Sequence, residues 1–179
     1  MTATQSETRV SLDLEQLAER TRSGDVLLVG IGNTMFGDDG AGCHLVQRLE
    51  GKTRAALLDT GQSPEAYLGE IANATNATVV LVDTVDFKSS PGTVAIFGAR
   101  QLPDVASGTH RIPLALIMDY LSRTSTGEVC LLGIQPERTQ LGAEMSPAVR
   151  RSIEYLAELL STTDRDATDS RSPASGVMK

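Results

Sequence analysis

Aromatic residues are scarce in this chain: they make up 3% of 179 residues, and tryptophan is absent. With hydrophobic residues at 40%, the core has to be built mainly from Leu, Val, Ile and Ala. Long apolar runs are missing too, so no transmembrane span is expected. The N-terminus, MTATQSETRVSLDLEQLAER, carries early acids and no apolar stretch, and no signal peptide is expected. Positive charge is in deficit, with 16 Lys and Arg against 23 Asp and Glu and a formal net charge of -7. That excludes nucleic acid and anionic membrane as main partners, since both need basic patches. The two cysteines, Cys43 and Cys130, lie in apolar contexts without paired spacing. Reduced thiols packed as small apolar groups, in a cytosolic protein, are expected. No Gly-x-Ser-x-Gly elbow and no reactive cysteine context is present, which argues against covalent catalysis. There is no internal repeat.

What is present is organised around Val26 to Gly42, VLLVGIGNTMFGDDGAG. Val26 to Val29 form a short apolar run that suits a strand covered on both faces. Gly30, Gly32 and Gly37 permit tight turning. Gly40 and Gly42 allow another backbone to approach the first turn of the helix that follows. In a sheet with helices on both faces, ligands bind beyond the carboxyl ends of the strands, and Asp38 and Asp39 fall at that edge.

The rest of the chain alternates. Residues 1–24 form an N-terminal extension, with helical spacing at Leu14, Leu17 and Ala18. A single α/β domain spans 25–160. Within it, helices are expected over Asp39–Leu49, after Ser63-Pro64, after Ile112-Pro113 and after Ser146-Pro147. Each Ser-Pro pair reads as an N-cap followed by proline at the first helical position. Strands are expected at Ala55–Asp59, Thr78–Asp83, Thr93–Phe97 and Val129–Ile134. Thr93–Phe97 has little room for a crossover before it and is expected to run antiparallel. Residues 161–179 are polar and Ser/Thr/Asp-rich, a composition of disordered tails. Together these give an α/β fold with a mostly parallel sheet and helices on both faces.

The glycine loop does not fit phosphate. The dinucleotide pattern begins at Gly30 and Gly32, but Met35 fills the third glycine position. Gly32 and Gly37 have mononucleotide-loop spacing, but Asp38 and Asp39 stand where Lys and Ser or Thr belong. Two carboxylates repel a phosphate; a cation or a neutral group fits better. Asp39, Asp59 and Asp83 all fall at the carboxyl edge, and the histidines are His44 and His110. Two carboxylates and an imidazole can ligate a divalent transition metal. Each residue also has a plainer use. Asp38 or Asp39 can cap the helix, Asp59 and Asp83 can start Asx turns, Asp86 can be a solvated loop acid, and His44 and His110 can pack or bond a carbonyl.

G-I-G-N-T-M-F-G-D-D-G-A-G, followed in order by L-D-T-G, V-D-T-V-D, P-G, T-H-R-I-P-L and G-I-Q-P, resembles the hydrogenase maturation endopeptidases. The likeness covers Asp25 to Leu160. It points to the branch that processes the large subunit of hydrogenlyase-type nickel-iron hydrogenases. The resemblance implies a five-stranded twisted sheet between helices. It also implies a cytoplasmic protease, expected to be a monomer, that cuts a C-terminal extension from the hydrogenase large-subunit precursor after nickel insertion. It implies Asp39, Asp83 and His110 as metal ligands, the metal being nickel supplied by the substrate. Asp39 and Asp83 are then catalytic as well, either around that metal or as an aspartyl endopeptidase pair. Asp38 is then structural, and Asp59 is left between a turn and a residue orienting a ligand. The alternatives are a non-catalytic, metal-sensing chaperone of the precursor and, more remotely, a small-molecule hydrolase.

Overall fold

The structure is a computed structural model that describes residues 12–74, 78–99, 101 and 114–162. Five strands form one sheet: β1 (Val26–Ile31), β2 (Ala56–Gly61), β3 (Thr78–Thr84), β4 (Val94–Gly98) and β5 (Val129–Ile134), in the order β2-β1-β3-β5-β4. The neighbours from β2 to β5 are parallel, and β4 alone runs antiparallel, against β5. The short Pro91-Gly92 turn ahead of β4 leaves no length for a crossover helix, which is why that strand reverses.

Helices cover both faces. On one, α1 (Leu14–Ser23), α2 (Ala41–Leu49) and α5 (Pro147–Leu160) bury Leu17, Leu45, Leu49, Ile153 and Leu156 against Leu28, Val80, Val82 and Leu132. On the other, α3 (Leu68–Ala72) and α4 (Leu114–Thr124) bury Ile71, Ile117, Met118 and Leu121 against Val29, Leu81 and Leu131. The strand residues alternate between the two cores, as the period of two requires. β1, β3 and β5 are buried throughout, which explains their unbroken apolar sequences. At the edge away from the candidate site, Arg20 donates to Thr78 and to Glu128, both at 2.8 Å, tying α1 to the starts of β3 and β5.

Two local expectations are corrected. The helix read from Asp39 is a 3-10 turn, Gly37–Gly40, that leads into α2 at Ala41. Ser63 makes no side-chain cap, and Pro64–Tyr67 is likewise a 3-10 turn before α3. Ser146, by contrast, accepts from the Val149 N–H and caps α5 as read. Of the polar loop expected over Gln101–His110 all but Gln101 lies outside the described residues, as do the Ile112-Pro113 helix start and, of the tail expected over 161–179, all from residue 163. Among the described residues no helix is long and apolar enough to cross a membrane.

Candidate active site

In the strand order, the chain leaves β1 toward β2 on one side and returns to β3 on the other. The carboxyl ends of β1 and β3 therefore flank the topological switch point, the place where open α/β sheets bind ligands. Asp39 follows β1, and Asp83 is the penultimate residue of β3.

Glycines bring these two segments together. A Cβ built on Gly42 would stand 2.1 Å from the Val82 carbonyl oxygen and 2.5 Å from that of Ile31. A Cβ on Gly30 would stand 2.6 Å from the Gly42 carbonyl oxygen. The start of α2 therefore rests directly on the β1 and β3 backbones, with Asp39 three residues before Gly42 and Asp83 next to Val82. Gly32, at φ 131°, passes so close to the Asp39 backbone that a Cβ there would sit 1.8 Å from its carbonyl oxygen.

Asp39 Oδ2 accepts from the Asn33 N–H at 2.9 Å, and Asn33 Oδ1 accepts from the Met35 N–H at 2.9 Å. Asn33 thus braces the acid-bearing loop from within. Asp83 is buried, and its Oδ1 accepts from the Thr84 N–H at 2.7 Å. Asp38 does not cap a helix. Its buried carboxylate accepts from Glu137, Arg138 and Ser146 in the segment after β5. The position ahead of α2 is taken by Gly40, which has no side chain to offer.

Asp59 makes the turn read for it and also binds a side chain of α2. Its Oδ1 accepts from the Gly61 N–H at 3.1 Å, an Asx turn, while its Oδ2 accepts from the Gln47 amide at 3.1 Å. Partial desolvation works to raise the Asp59 carboxyl. Hydrogen bonds from the Cys43 thiol, Gly61 and Gln47, with His44 nearby, outweigh it and hold the group below the usual carboxylate range. The Cys43 thiol has two acceptors in reach, Asp59 and the Gly32 carbonyl at 3.5 Å, and serves one at a time. Asp86 is an exposed loop acid paired with Lys88, which with the Gln135 amide lowers it to about 2.

Burial pushes the Cys43 thiol up to about 12, helped by its hydrogen bond to Asp59 and by the charges of Asp59 and Asp83. Burial likewise takes Cys130 to about 12, with Glu128 adding to it. A raised thiol contributes stability below its unfolded value, and that contribution is lost as pH climbs through the folded one. The window therefore opens near the unfolded value of 9.0 and closes near 12. Iodoacetamide at about pH 8, below the ordinary thiol value, is expected to leave both cysteines unmodified in the native protein and to alkylate both in denaturant. Mass spectrometry reads the difference; alkylation of Cys43 in the native state would contradict its burial.

His110 lies outside the described residues. Among the described residues no three His, Cys, Asp or Glu side chains converge to hold a metal ion. Two contributors went unread in the sequence. Asn33 was visible only as the N of G-x-G-N. Gln135, the Q of G-I-Q-P, is buried, accepts from the Phe87 and Ser89 N–H groups and donates to Asp86, so it shapes the loop after β3.

The family model for hydrogenase maturation protease (HycI) matches residues 42–163. The hydrogenase 3 maturation protease of Escherichia coli K12 is 30% identical over 139 residues, covering 76% of this chain and 88% of that protein. The crystal structure of a NiFe hydrogenase maturation protease from Thermococcus kodakarensis KOD1 superposes with a TM-score of 0.71 at 31% identity, over 82% of this chain and 94% of the other. The solution structure of an endopeptidase from Escherichia coli gives 0.68 at 30% identity, over 76% and 88%. An α/β sheet with acids gathered at its switch point, and relatives matched over nearly their whole length, lead to one conclusion: this chain belongs to the hydrogenase maturation proteases and is a hydrolase that cuts peptide bonds.

Proposed function

We propose that this protease removes a C-terminal extension from the large-subunit precursor of a nickel-iron hydrogenase once nickel has been inserted. Asp39, Asp83 and His110 act on the metal that the precursor carries, and the enzyme works in the cytoplasm as a monomer. The observation that supports this most is the Gly42 contact, which brings the Asp39 turn onto the end of β3 beside Asp83. The donor set adds to it: two carboxylates and an imidazole are oxygen and nitrogen ligands suited to a borderline divalent ion such as nickel.

The precursor's nickel supplies a Lewis acid beside the scissile carbonyl. The protein's part is to hold that centre and to move a proton. A carboxylate at the switch point takes a proton from the attacking water as its oxygen bonds to the carbonyl carbon. The same proton then passes to the leaving amide nitrogen as the C–N bond breaks.

The test is cleavage of precursor with and without nickel, read by the mass of the released peptide. The nickel-loaded precursor is expected to be cut and the nickel-free one to be cut at least tenfold more slowly. Equal rates would overturn metal-guided recognition and leave Asp39 and Asp83 as an aspartic pair. No cleavage of either would leave the chaperone reading.

A further inference from the structure

The turn that carries Asp39 is a short 3-10 segment, Gly37–Gly40. Its own backbone contributes the Asp39 N–H to the Phe36 carbonyl at 3.2 Å and the Ala41 N–H to the Asp38 carbonyl. Such short turns have poor hydrogen-bond geometry and depend on their surroundings. Those surroundings include Asn33 and Gly32 on one side and, on the other, the chain between β5 and α5, to which Asp38 bonds.

Asp38 is completely buried. Its Oδ2 accepts from the Glu137 N–H at 2.8 Å and the Arg138 N–H at 3.0 Å, and its Oδ1 accepts from the Ser146 N–H at 2.6 Å. Its own N–H donates to the Arg138 carbonyl at 3.0 Å. One residue thus grips both ends of a loop about 100 positions away in sequence. Two further contacts press the surfaces together. Gly37, at φ 60°, has room for no side chain, since a Cβ would stand 2.9 Å from the Arg138 carbonyl oxygen. The Gly142 N–H donates to the Met35 carbonyl at 2.8 Å.

We propose that Asp38 is a positioning residue for the peptidase reaction: its carboxylate clamps the loop after β5 under the 3-10 turn and thereby fixes where the adjacent Asp39 carboxylate points. The inference rests on the reading of Asp39 as a site residue. Acid next to acid then has a division of labour. Asp38 faces inward and takes backbone N–H groups, and Asp39 is held at the switch point by the clamped turn.

Asp38→Asn tests it. An amide keeps the size but presents N–H where one of the three backbone donors now finds an oxygen, so the clamp loosens without a cavity. With kcat and KM measured on the nickel-loaded precursor well below the melting temperature, kcat is expected to fall by about 10- to 100-fold, the scale of a misplaced reacting group. KM is expected to change by less than about threefold, since groups that touch only the reacting centre act on kcat. A lowered melting temperature with kcat per folded molecule unchanged would overturn the proposal and leave Asp38 a purely structural tie.

A second pair of variants serves if Asp38→Asn does not fold. Ser146 has φ -63°, which proline adopts. Ser146→Pro removes the N–H that Asp38 accepts, whereas Ser146→Ala keeps it and loses only the helix-capping hydroxyl. A larger fall in kcat for proline than for alanine supports the clamp; equal kcat values overturn it. Asp39→Asn in the same assay separates the two levels. If it cuts at the full rate, the site reading fails and this inference with it. If it is inactive while Asp38→Asn keeps its kcat, this inference alone fails.

Discussion

Asparagine at position 39 is expected to stop cleavage of the nickel-loaded precursor, with kcat down at least about a thousandfold, close to 4 kcal/mol of transition-state stabilisation. The fold is expected to survive. Asp39 Oδ2 accepts from the Asn33 N–H, and an amide oxygen accepts the same bond, so the melting temperature should move by no more than about 2–4 °C. What the substitution removes is the negative charge and the basic site, which both the metal-guided and the paired-carboxylate schemes need. Asp83→Asn is expected to behave alike, because an amide oxygen can still accept from the Thr84 N–H that Asp83 Oδ1 now takes. Circular dichroism and the mass of the released peptide, measured on the same preparations, check both halves. A folded Asp39→Asn variant that cuts at the wild-type rate removes Asp39 from the site.

Alanine at position 42 is expected to have the largest effect on stability. The added methyl would meet the Val82 carbonyl oxygen at 2.1 Å and the Ile31 carbonyl oxygen at 2.5 Å. Both are backbone atoms of buried strands, so neither can swing aside as a flexible side chain could. Relief requires α2 to lift from β1 and β3, opening the core around Leu45, Val46 and Leu49. Overpacking commonly costs 1–3 kcal/mol; with backbone on both sides and a helix to displace, about 4 kcal/mol or more is expected. That is a large part of the roughly 5–15 kcal/mol that holds a domain together. Thermal unfolding should show a drop of at least about 8 °C, at 2–4 °C per kcal/mol for a chain of this size. Gly69→Ala is the control. Nothing lies within 4 Å of its Cβ position in α3, and helix propensity favours alanine there by up to about 1 kcal/mol. A Gly42→Ala protein as stable as the parent would mean that α2 does not sit where the structure has it.

Much of the fold was legible because it depends on short-range pattern. β5 begins and ends where its apolar run does, at Val129 and Ile134. The Ser146-Pro147 cap and the buried row of Val149, Ile153, Leu156 and Leu160 follow from a local hydrogen bond and the helical repeat. Legibility ended where local signals compete. Ser63-Pro64 carries the same cap signature as Ser146-Pro147, yet Ser63 does not cap and a 3-10 turn forms. The acids after Gly37 left capping open beside ligation, because capping is a common local use of Asp, yet Gly40 stands at the cap of α2.

The sequence by itself determined the strand and helix pattern, the acids at the strand ends and, through the order of its motifs, the family. Residue order along strands and helices is enough for these, because side-chain periodicity and turn chemistry act over a few positions. Only the tertiary structure decided what the buried Asp38 carboxylate binds. The partners of Asp38 are backbone N–H groups about 100 residues away, and a backbone donor has no signature in the amino-acid code. The same holds for Gly42. Its lack of a side chain was plain in the sequence, but the Val82 carbonyl that demands it comes into contact only when α2 packs across the sheet.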